Sequence, residues 1–288
     1  MKQFITILFV VFVFAYSGKA QDKKVLFDLD YSRFANNSSS MYVEFYYSFY
    51  KDAFQFLKST QAKTIRGAVE INIKSIQTNE IVVNREYRFE SLMEDSLYNQ
   101  SLIGVLGYFI PNGDYQAVVV GKDLADTNNV RQDSLKFTFS LPGLAEDSFG
   151  MSDIQLASAL RQSTDTTSVF YKNTFDVTPN PTALYGNNLP VIFFYTELYN
   201  LDKNVGSENL LLEQYLMNSS NQIVFKKKKM LPRKNASIVE AGAVNINKML
   251  TGAYTLLLSI TDTVKNTKAV TSKRVFVYNP DLIDTAMK

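Results

Sequence analysis

The chemistry open to this chain is limited by two residue types that it lacks. Its 288 residues include no histidine and no cysteine. The commonest general base, the commonest transition-metal ligands and the usual nucleophilic dyads are therefore excluded by composition. The sequence also contains no glycine-rich phosphate loop and no Gly-x-Ser-x-Gly motif. What remains is carboxylate chemistry, either paired acids that cleave glycosides or oxygen ligands for calcium.

Two sets of residues are candidates for that chemistry. An acid pair must meet in space, so sequence can name only its possible members. These are Glu44, Glu70 and Glu197. The possible calcium ligands share one loop and are Asp123, Asp126 and Asn128. Asp and Asn also occur in ordinary turns, whose geometry they tolerate, and strand carboxylates often face solvent. We therefore predict no catalytic residue, no metal and no cofactor.

A run of four lysines is the only strong charge run. It comprises Lys226, Lys227, Lys228 and Lys229. Successive side chains of a strand alternate faces, so the four cannot all lie on the wet face of a packed sheet. The sequence predicts an edge strand protected from aggregation by charge. The alternative is a basic docking patch.

A nearly continuous aromatic run contains Phe45, Tyr46, Tyr47, Phe49 and Tyr50. An exposed row of tyrosines is one way to bind a glycan. This run, however, populates both faces of a strand. We predict that one face is buried in its own domain and that a neighbouring domain covers the other.

The segments that carry these residues occur twice. Gly113-Asp114-Tyr115 and Gly252-Ala253-Tyr254 open similar strands 139 residues apart. Asn79 to Val82 matches Asn221 to Val224 at an offset of 142, and Val43 to Ser48 matches Val191 to Thr196 at an offset of 148. Three matches in the same order predict two copies of one β module.

Short strands at intervals of about ten residues, separated by turn residues and without helical periodicity, indicate antiparallel β-sandwiches. The predicted fold class is all-β, with two tandem antiparallel immunoglobulin-like β-sandwich domains. The predicted domains are residues 21–145 and 152–280, with a linker at 146–151. Residues 281–288 are a tail or the start of a linker to a further C-terminal domain. Residues 210–217 have helical propensity, but the repeat alignment pairs Tyr215-Leu216-Met217 with Ile73-Lys74-Ser75 and so predicts a strand.

The repeated Gly-x-Tyr element predicts a structural corner in each domain. In immunoglobulin-like sandwiches, a tyrosine near the start of the penultimate strand returns its hydroxyl to an upstream backbone group. Tyr115 and Tyr254 fit that role, and Gly113 and Gly252 would permit the tight turn. The alternative is two ordinary turns followed by ordinary strand tyrosines.

The first twenty residues read as a secretory signal peptide. Lys2 precedes an apolar run, and Gly18-Lys19-Ala20 supplies a cleavage site before Gln21. The alternative, a membrane anchor, needs about 20 apolar residues. Cleavage removes two lysines and leaves 28 basic and 28 acidic residues. The sequence predicts an exported protein, in the periplasm, at the cell surface or outside the cell, with no transmembrane segment after cleavage and no nucleic-acid partner.

Several motifs together resemble the N-terminal region of GWxTD domain-containing proteins, which are exported proteins of Bacteroidota and related bacteria. The motifs are Ser152-Asp153-Ile154-Gln155-Leu156-Ala157, Tyr171-Lys172-Asn173, Val177-Thr178-Pro179-Asn180-Pro181, Tyr195-Thr196-Glu197-Leu198-Tyr199-Asn200 and Leu250-Thr251-Gly252-Ala253-Tyr254. The naming motif, Gly-Trp-x-Thr-Asp, belongs to a further C-terminal domain, and this chain has no tryptophan. The family's function is unassigned, so the resemblance implies location and architecture and no active site.

These observations lead to three functional hypotheses. The first is a non-enzymatic envelope protein whose tandem modules act as a structural or protein-interaction scaffold, with an unknown protein or a C-terminal domain as partner. The second is a glycan-binding module that uses exposed tyrosines. The third is a carboxylate-based glycoside hydrolase.

Overall fold

A computed structural model describes residues 27–57, 64–92, 101–126, 128 and 130–282. These residues form an all-β protein whose only helical element is a single 3₁₀ turn, Lys51–Ala53. None of the described residues forms a helix long and apolar enough to span a membrane. The predicted signal peptide lies outside the described residues.

The first module is a sandwich of two antiparallel sheets. Its strands are β1 (Phe27–Asn37), β2 (Ser40–Tyr50), β3 (Thr64–Ser75), β4 (Ile81–Leu92), β5 (Ser101–Pro111), β6 (Gly113–Asp123) and β7 (Arg131–Leu141). One sheet has the order β1-β2-β5, and the other has the order β4-β3-β6-β7. In β3, alternate side chains such as Val69, Ile71 and Ile73 are fully buried between the sheets. Each such side chain contributes about 1.5–3 kcal/mol.

The second module repeats this arrangement and adds short strands. Its strands are β8 (Gly150–Met151), β9 (Gln155–Gln162), β10 (Tyr171–Lys172), β11 (Phe175–Pro179), β12 (Leu184–Gly186), β13 (Val191–Tyr199), β14 (Asn209–Asn218), β15 (Ile223–Pro232), β16 (Ile238–Asn245), β17 (Gly252–Asp262) and β18 (Thr267–Tyr278). One sheet has the order β10-β11-β9-β13-β16, with β8 also paired to β13, and the other has the order β12-β18-β17-β14-β15. Without β8, β10, β11 and β12, the strand order equals that of the first module.

The internal repeat pairs topologically equivalent strands, but two predicted alignments are wrong by one residue. Val43 is buried in the first core, whereas its predicted match Val191 faces outward and Ile192 is buried instead. Likewise Ile73 corresponds to buried Leu216 and not to Tyr215. The physical reason is that a shift of one residue moves every side chain of a strand to the opposite face.

The turn before the fourth strand repeats as predicted. Asn79 and Asn221 both adopt a left-handed conformation, with φ of 61° and 59°. Asn is among the few residues that tolerate this geometry. The strands that follow these turns, β4 and β15, are bulged at equivalent places, at Val82 and at Val224. Residues 210–217 form a strand, as the sequence predicts.

Strand β8 lies within the segment that the sequence predicts as a linker between the modules. Strand β7 ends at Leu141, and β8 already pairs with β13. Gly150 and Met151, placed in the linker by sequence, therefore belong to a sheet of the second module.

Candidate functional site at the contact between the modules

The outer face of the β1-β2-β5 sheet packs against the second module. Odd-numbered residues of β2, such as Phe45 and Phe49, enter the core of the first module. Even-numbered residues point the other way, and Glu44, Tyr46 and Ser48 are buried there. The prediction that the aromatic run is buried on one face and covered by the neighbouring module on the other is confirmed for Phe45, Tyr46 and Phe49, whereas Tyr50 is 41% exposed.

An apolar cluster joins the two modules beside these residues. Phe34 of β1 packs with Ala157, Val177 and Tyr195 of the second module, and all four are buried. The rings of Phe34 and Tyr195 meet edge to face, with centroids 6.2 Å apart. Such pairs add about 0.5–1.5 kcal/mol to the burial of their area.

Lys172 of β10 inserts its ammonium group into this contact. The Nζ atom lies 4.5 Å from the ring centroid of Phe34, 5.3 Å from that of Tyr195 and 5.9 Å from that of Tyr46. It forms a short ion pair with the Glu44 carboxylate and donates to Oε1 of Gln155 at 2.9 Å. We name Phe34, Glu44, Tyr46, Lys172 and Tyr195 the inter-module cluster.

The electrostatics of the inter-module cluster follow from its burial. Loss of solvation lowers the pKa of the Lys172 ammonium, and the Glu44 carboxylate opposes that shift. Burial raises the pKa of the Tyr46 hydroxyl well above its ordinary value, and nearby Glu44 raises it further. Tyr46 remains a hydrogen-bond donor and donates to Oε2 of Glu44 at 2.6 Å.

A second carboxylate, Glu197, organises the neighbouring part of the contact. Its Oε1 accepts hydrogen bonds from the Tyr195 hydroxyl at 2.6 Å and from Nδ2 of Asn173 at 2.9 Å. Its Oε2 accepts from the Tyr199 hydroxyl at 2.7 Å. The Tyr199 hydroxyl oxygen in turn accepts from the backbone N–H of Ala35 in the first module, at 3.1 Å. This chain of bonds ties β13 to β1.

Two further ion pairs flank the inter-module cluster. Arg33 forms a fork with Asp153, in which Nε lies 2.7 Å from Oδ2 and Nη2 lies 2.8 Å from Oδ1. The backbone of Asp153 also donates to the carbonyl of Arg33 at 3.1 Å. Lys273 of β18 pairs with Asp30 of β1 at 2.5 Å. The bidentate Arg33–Asp153 fork fixes orientation as well as adding energy.

The structure brings together two of the three candidate acids for glycoside cleavage. Glu44 and Glu197 both act on Lys172, but each carboxylate is already bonded to protein donors. Glu70 lies elsewhere, in β3, where it pairs with Lys122 at 2.5 Å. The arrangement is therefore suited to holding two modules together. Sequence reasoning missed Lys172 as the partner of Glu44, because nothing local links residues so far apart in the chain.

Both predicted corner tyrosines make the hydrogen bond that a tyrosine corner requires. The Tyr115 hydroxyl donates to the carbonyl of Pro111 at 2.9 Å, and the Tyr254 hydroxyl donates to that of Leu250 at 2.9 Å. Gly113 has φ of 151°, which L side chains rarely adopt. Gly252 shows no such φ, and an added Cβ would meet only the Tyr254 ring at 3.9 Å. The predicted need for glycine therefore applies to Gly113 and is wrong for Gly252.

In the candidate calcium loop, the carboxylates of Asp123 and Asp126 already accept hydrogen bonds from the protein. Asp123 is buried and accepts bonds from the backbone of Gln55 at 2.9 Å and of Ala125 at 3.0 Å, and it pairs with Arg131. Asp126 accepts from the backbone N–H of Asn128 at 3.0 Å, as in an ordinary Asx turn. The described residues contain no group of three or more acidic side chains arranged to hold a metal.

Asp262 is the counterpart of Asp123 at the end of β17. It is fully buried and accepts backbone bonds from Gly206, Ser207, Val264 and Lys265. Its Oδ2 also lies 2.7 Å from Nη1 of Arg233. Burial alone would raise the pKa of Asp262, but the backbone donors outweigh it and lower the pKa below its ordinary value.

The four lysines lie in β15, the edge strand of its sheet, and all are exposed. Lys228 pairs with Glu213 of β14, and Lys226 lies 5.1 Å from the ring centroid of Tyr215. On the opposite face, Lys229 reaches Glu240 of the other sheet at 2.6 Å. The edge position is the one that the sequence predicts. Opposite faces of an edge both reach solvent, which explains how four consecutive lysines are accommodated.

No protein-family model and no curated protein matches the chain. Among solved structures, it is similar to a Parabacteroides merdae β-glucuronidase at 8% identity and a TM-score of 0.24, over 84% of this chain and 29% of that one. It is also similar to a glycosyl hydrolase family 2 member from Bacteroides cellulosilyticus at 10% identity and a TM-score of 0.28, over 83% of this chain and 28% of that one. The chain thus spans less than a third of the length of these two enzymes. Likeness at this level supports no statement about function.

Proposed function

We propose that this protein is a non-enzymatic scaffold in which two immunoglobulin-like modules are fixed into one rigid unit. The observation that carries the proposal is the inter-module cluster, in which a charged, largely buried lysine of one module lies among aromatic rings and pairs with a carboxylate of the other. Two modules that move relative to each other need no such contact, because interfaces between mobile domains are small and polar. A rigid unit of two modules holds attached partners or domains at a fixed separation and angle.

The proposal extends to location. The sequence features of residues 1–20 support export to the envelope, and the GWxTD resemblance supports a role beside a further domain. N-terminal mass analysis of protein recovered from a producing bacterium tests the first point, with Gln21 as the expected first residue. An intact Met1 in the mature protein contradicts export by this route.

Rigidity can be measured directly, because the chain contains no cysteine that would react with a label. Ser134 in the first module and Ser220 in the second are exposed. Spin labels on the Ser134→Cys/Ser220→Cys variant should give one narrow distance distribution by electron–electron double resonance. Adding Lys172→Ala should broaden that distribution. A broad distribution without the Lys172 change contradicts the scaffold proposal.

A further inference from the structure

A groove with a volume of about 1100 Å³ lies between the modules, beyond the inter-module cluster. Its first-module wall is formed by the ends of β2 and β5 and includes Ser48, Tyr50 and Ile103. Its second-module wall is formed by residues 179–182 and 184–189 and by Tyr278 at the end of β18. This volume is slightly above the range typical of small-molecule sites, about 300–1,000 Å³. Both modules are therefore needed to make the groove.

No charged residue lines the groove in the described part of the chain. This absence contrasts with a neighbouring cleft beside the inter-module cluster, which is lined by Glu44 and Lys172. A third cleft, at the other side of the module contact, contains Glu146, Asp147 and Lys203. A groove without charge offers nothing to neutralise an ionic ligand, and it favours a neutral one.

The groove combines apolar ring faces with hydroxyl and amide groups. Tyr50 and Tyr278 line it from different modules and are 41% and 58% exposed. Tyrosine supplies a large, rigid contact surface with little loss of conformational entropy. Hydroxyls and amides line the same groove, at Ser101, Thr182 and Asn188. Sugar rings match this combination, since they carry apolar C–H faces and a rim of hydroxyls.

The second-module wall is held rigidly in place. Asn180 is buried, and its Nδ2 donates to the carbonyl of Leu184 at 3.0 Å, while its Oδ1 accepts from Thr182 at 2.7 Å. Strand β12 runs parallel to the end of β18. Gly186 adopts φ of 150°, and an added Cβ there would lie 2.0 Å from the carbonyl oxygen of Tyr278. A preformed wall lowers the entropic cost of binding.

We propose that this groove binds a neutral oligosaccharide, with Tyr50 and Tyr278 stacking on sugar rings and the neutral hydroxyl and amide groups of the lining bonding to sugar hydroxyls. This site is separate from the scaffold role and can be tested without it. The test uses the full mature chain in isothermal titration calorimetry against neutral hexasaccharides of glucose, mannose and xylose. Polygalacturonate serves as the charged comparison and is expected not to bind.

At least one neutral hexasaccharide should bind. Tyr50→Ala and Tyr278→Ala should each weaken that binding on the order of tenfold, because each removes one aromatic contact. Tyr50→Phe and Tyr278→Phe, which keep the ring, should change it little. Tyr87→Ala is the matched control, since Tyr87 is 38% exposed in β4 and does not line the groove.

Three results overturn the proposal. The first is no binding by any neutral hexasaccharide. The second is binding that survives both Tyr→Ala changes or that Tyr87→Ala weakens equally. The third is binding of a proline-rich peptide and of none of the saccharides, since proline-rich peptides also dock in aromatic grooves.

Discussion

The ammonium nitrogen of Lys172 lies 4.5 Å from the centre of the Phe34 ring, although the two residues belong to different modules. The same nitrogen is paired with Glu44 of the first module. A cation that contacts both a ring face and a carboxylate is fixed in position by the two contacts. The contact therefore specifies one orientation of the modules.

Removing that cation should loosen the contact and destabilise the protein. Lys172→Met keeps most of the side-chain length and leaves the Glu44 carboxylate buried without its charge partner. Breaking a buried ion pair from one side costs about 3–5 kcal/mol. Urea denaturation should show a loss of this size, and it should show less for Lys172→Met combined with Glu44→Gln.

Lys228→Met is the matched control for that experiment. Its ion pair with Glu213 lies on the exposed edge strand. Exposed ion pairs contribute little to stability, so its denaturation midpoint should move little. Equal losses for Lys172→Met and Lys228→Met would mean that the inter-module cluster has no special stabilising role.

The two tyrosine corners should each contribute one hydrogen bond of ordinary strength. Tyr115→Phe and Tyr254→Phe remove only the hydroxyl that bonds to the Pro111 or Leu250 carbonyl. Each should lower the free energy of unfolding by about 0.5–1.5 kcal/mol without changing the fold. Tyr278→Phe, at an exposed position, is the control and should have no measurable effect. If neither substitution changes the free energy of unfolding, the corner hydrogen bonds have no stabilising role.

Much of the fold can be predicted because its signals are local. Alternation in β3 and the turn at Asn79 are properties of neighbouring residues. The lysine run indicates an edge strand for a similar reason, since charge that cannot be buried must lie where both faces meet solvent. The Gly-x-Tyr repeat adds the corner, whose bond closes over only four residues.

The module contact cannot be predicted in this way, because its partners lie far apart in the chain. Glu44 and Glu197 look alike in sequence, as strand carboxylates with aromatic neighbours. The packing of the modules places Lys172 on Glu44, whereas the three polar donors to Glu197 come from its own module. The one-residue error in matching Val43 has a different cause. Similar apolar residues occupy adjacent positions in β13, so the sequence does not show which of them enters the core.

Asp262 should make the stability of the second module depend on acid. Its folded-state pKa is lowered from an ordinary value near 3.8. The unfolded chain therefore takes up the proton first as the pH falls. The stabilisation is fully present above about pH 5 and is lost as the pH falls toward the folded-state pKa. Thermal denaturation between pH 7 and pH 2 should follow this loss.

Asp262→Asn tests the source of that acid sensitivity. It should cost about 3–5 kcal/mol at neutral pH, because Arg233 is left without its carboxylate, and it should flatten the decline of stability below pH 5. Asp202→Asn, at an exposed turn position, should change stability little at neutral pH. An unchanged acid profile in Asp262→Asn would assign the sensitivity to other groups.

The lysines of β15 should keep its edge from pairing with other chains. Lys226 and Lys228 lie on the same face of the edge strand, opposite Tyr215 and Glu213 of β14. The Lys226→Thr/Lys228→Thr variant keeps good strand propensity and removes two charges. An unpaired edge without charge is a template for another strand. Light scattering should show increased self-association that persists at high salt.

The control variant removes the same charge from exposed positions outside the strands, through Lys203→Thr and Lys234→Thr. It should remain as monodisperse as the parent chain, because neither position presents an unpaired backbone edge. Association of both variants would point to net charge as the cause. Association of the β15 variant that disappears at high salt would point to electrostatic contacts. If the β15 variant stays monomeric and loses an acidic binding partner, the lysines form a docking patch and the edge interpretation is wrong.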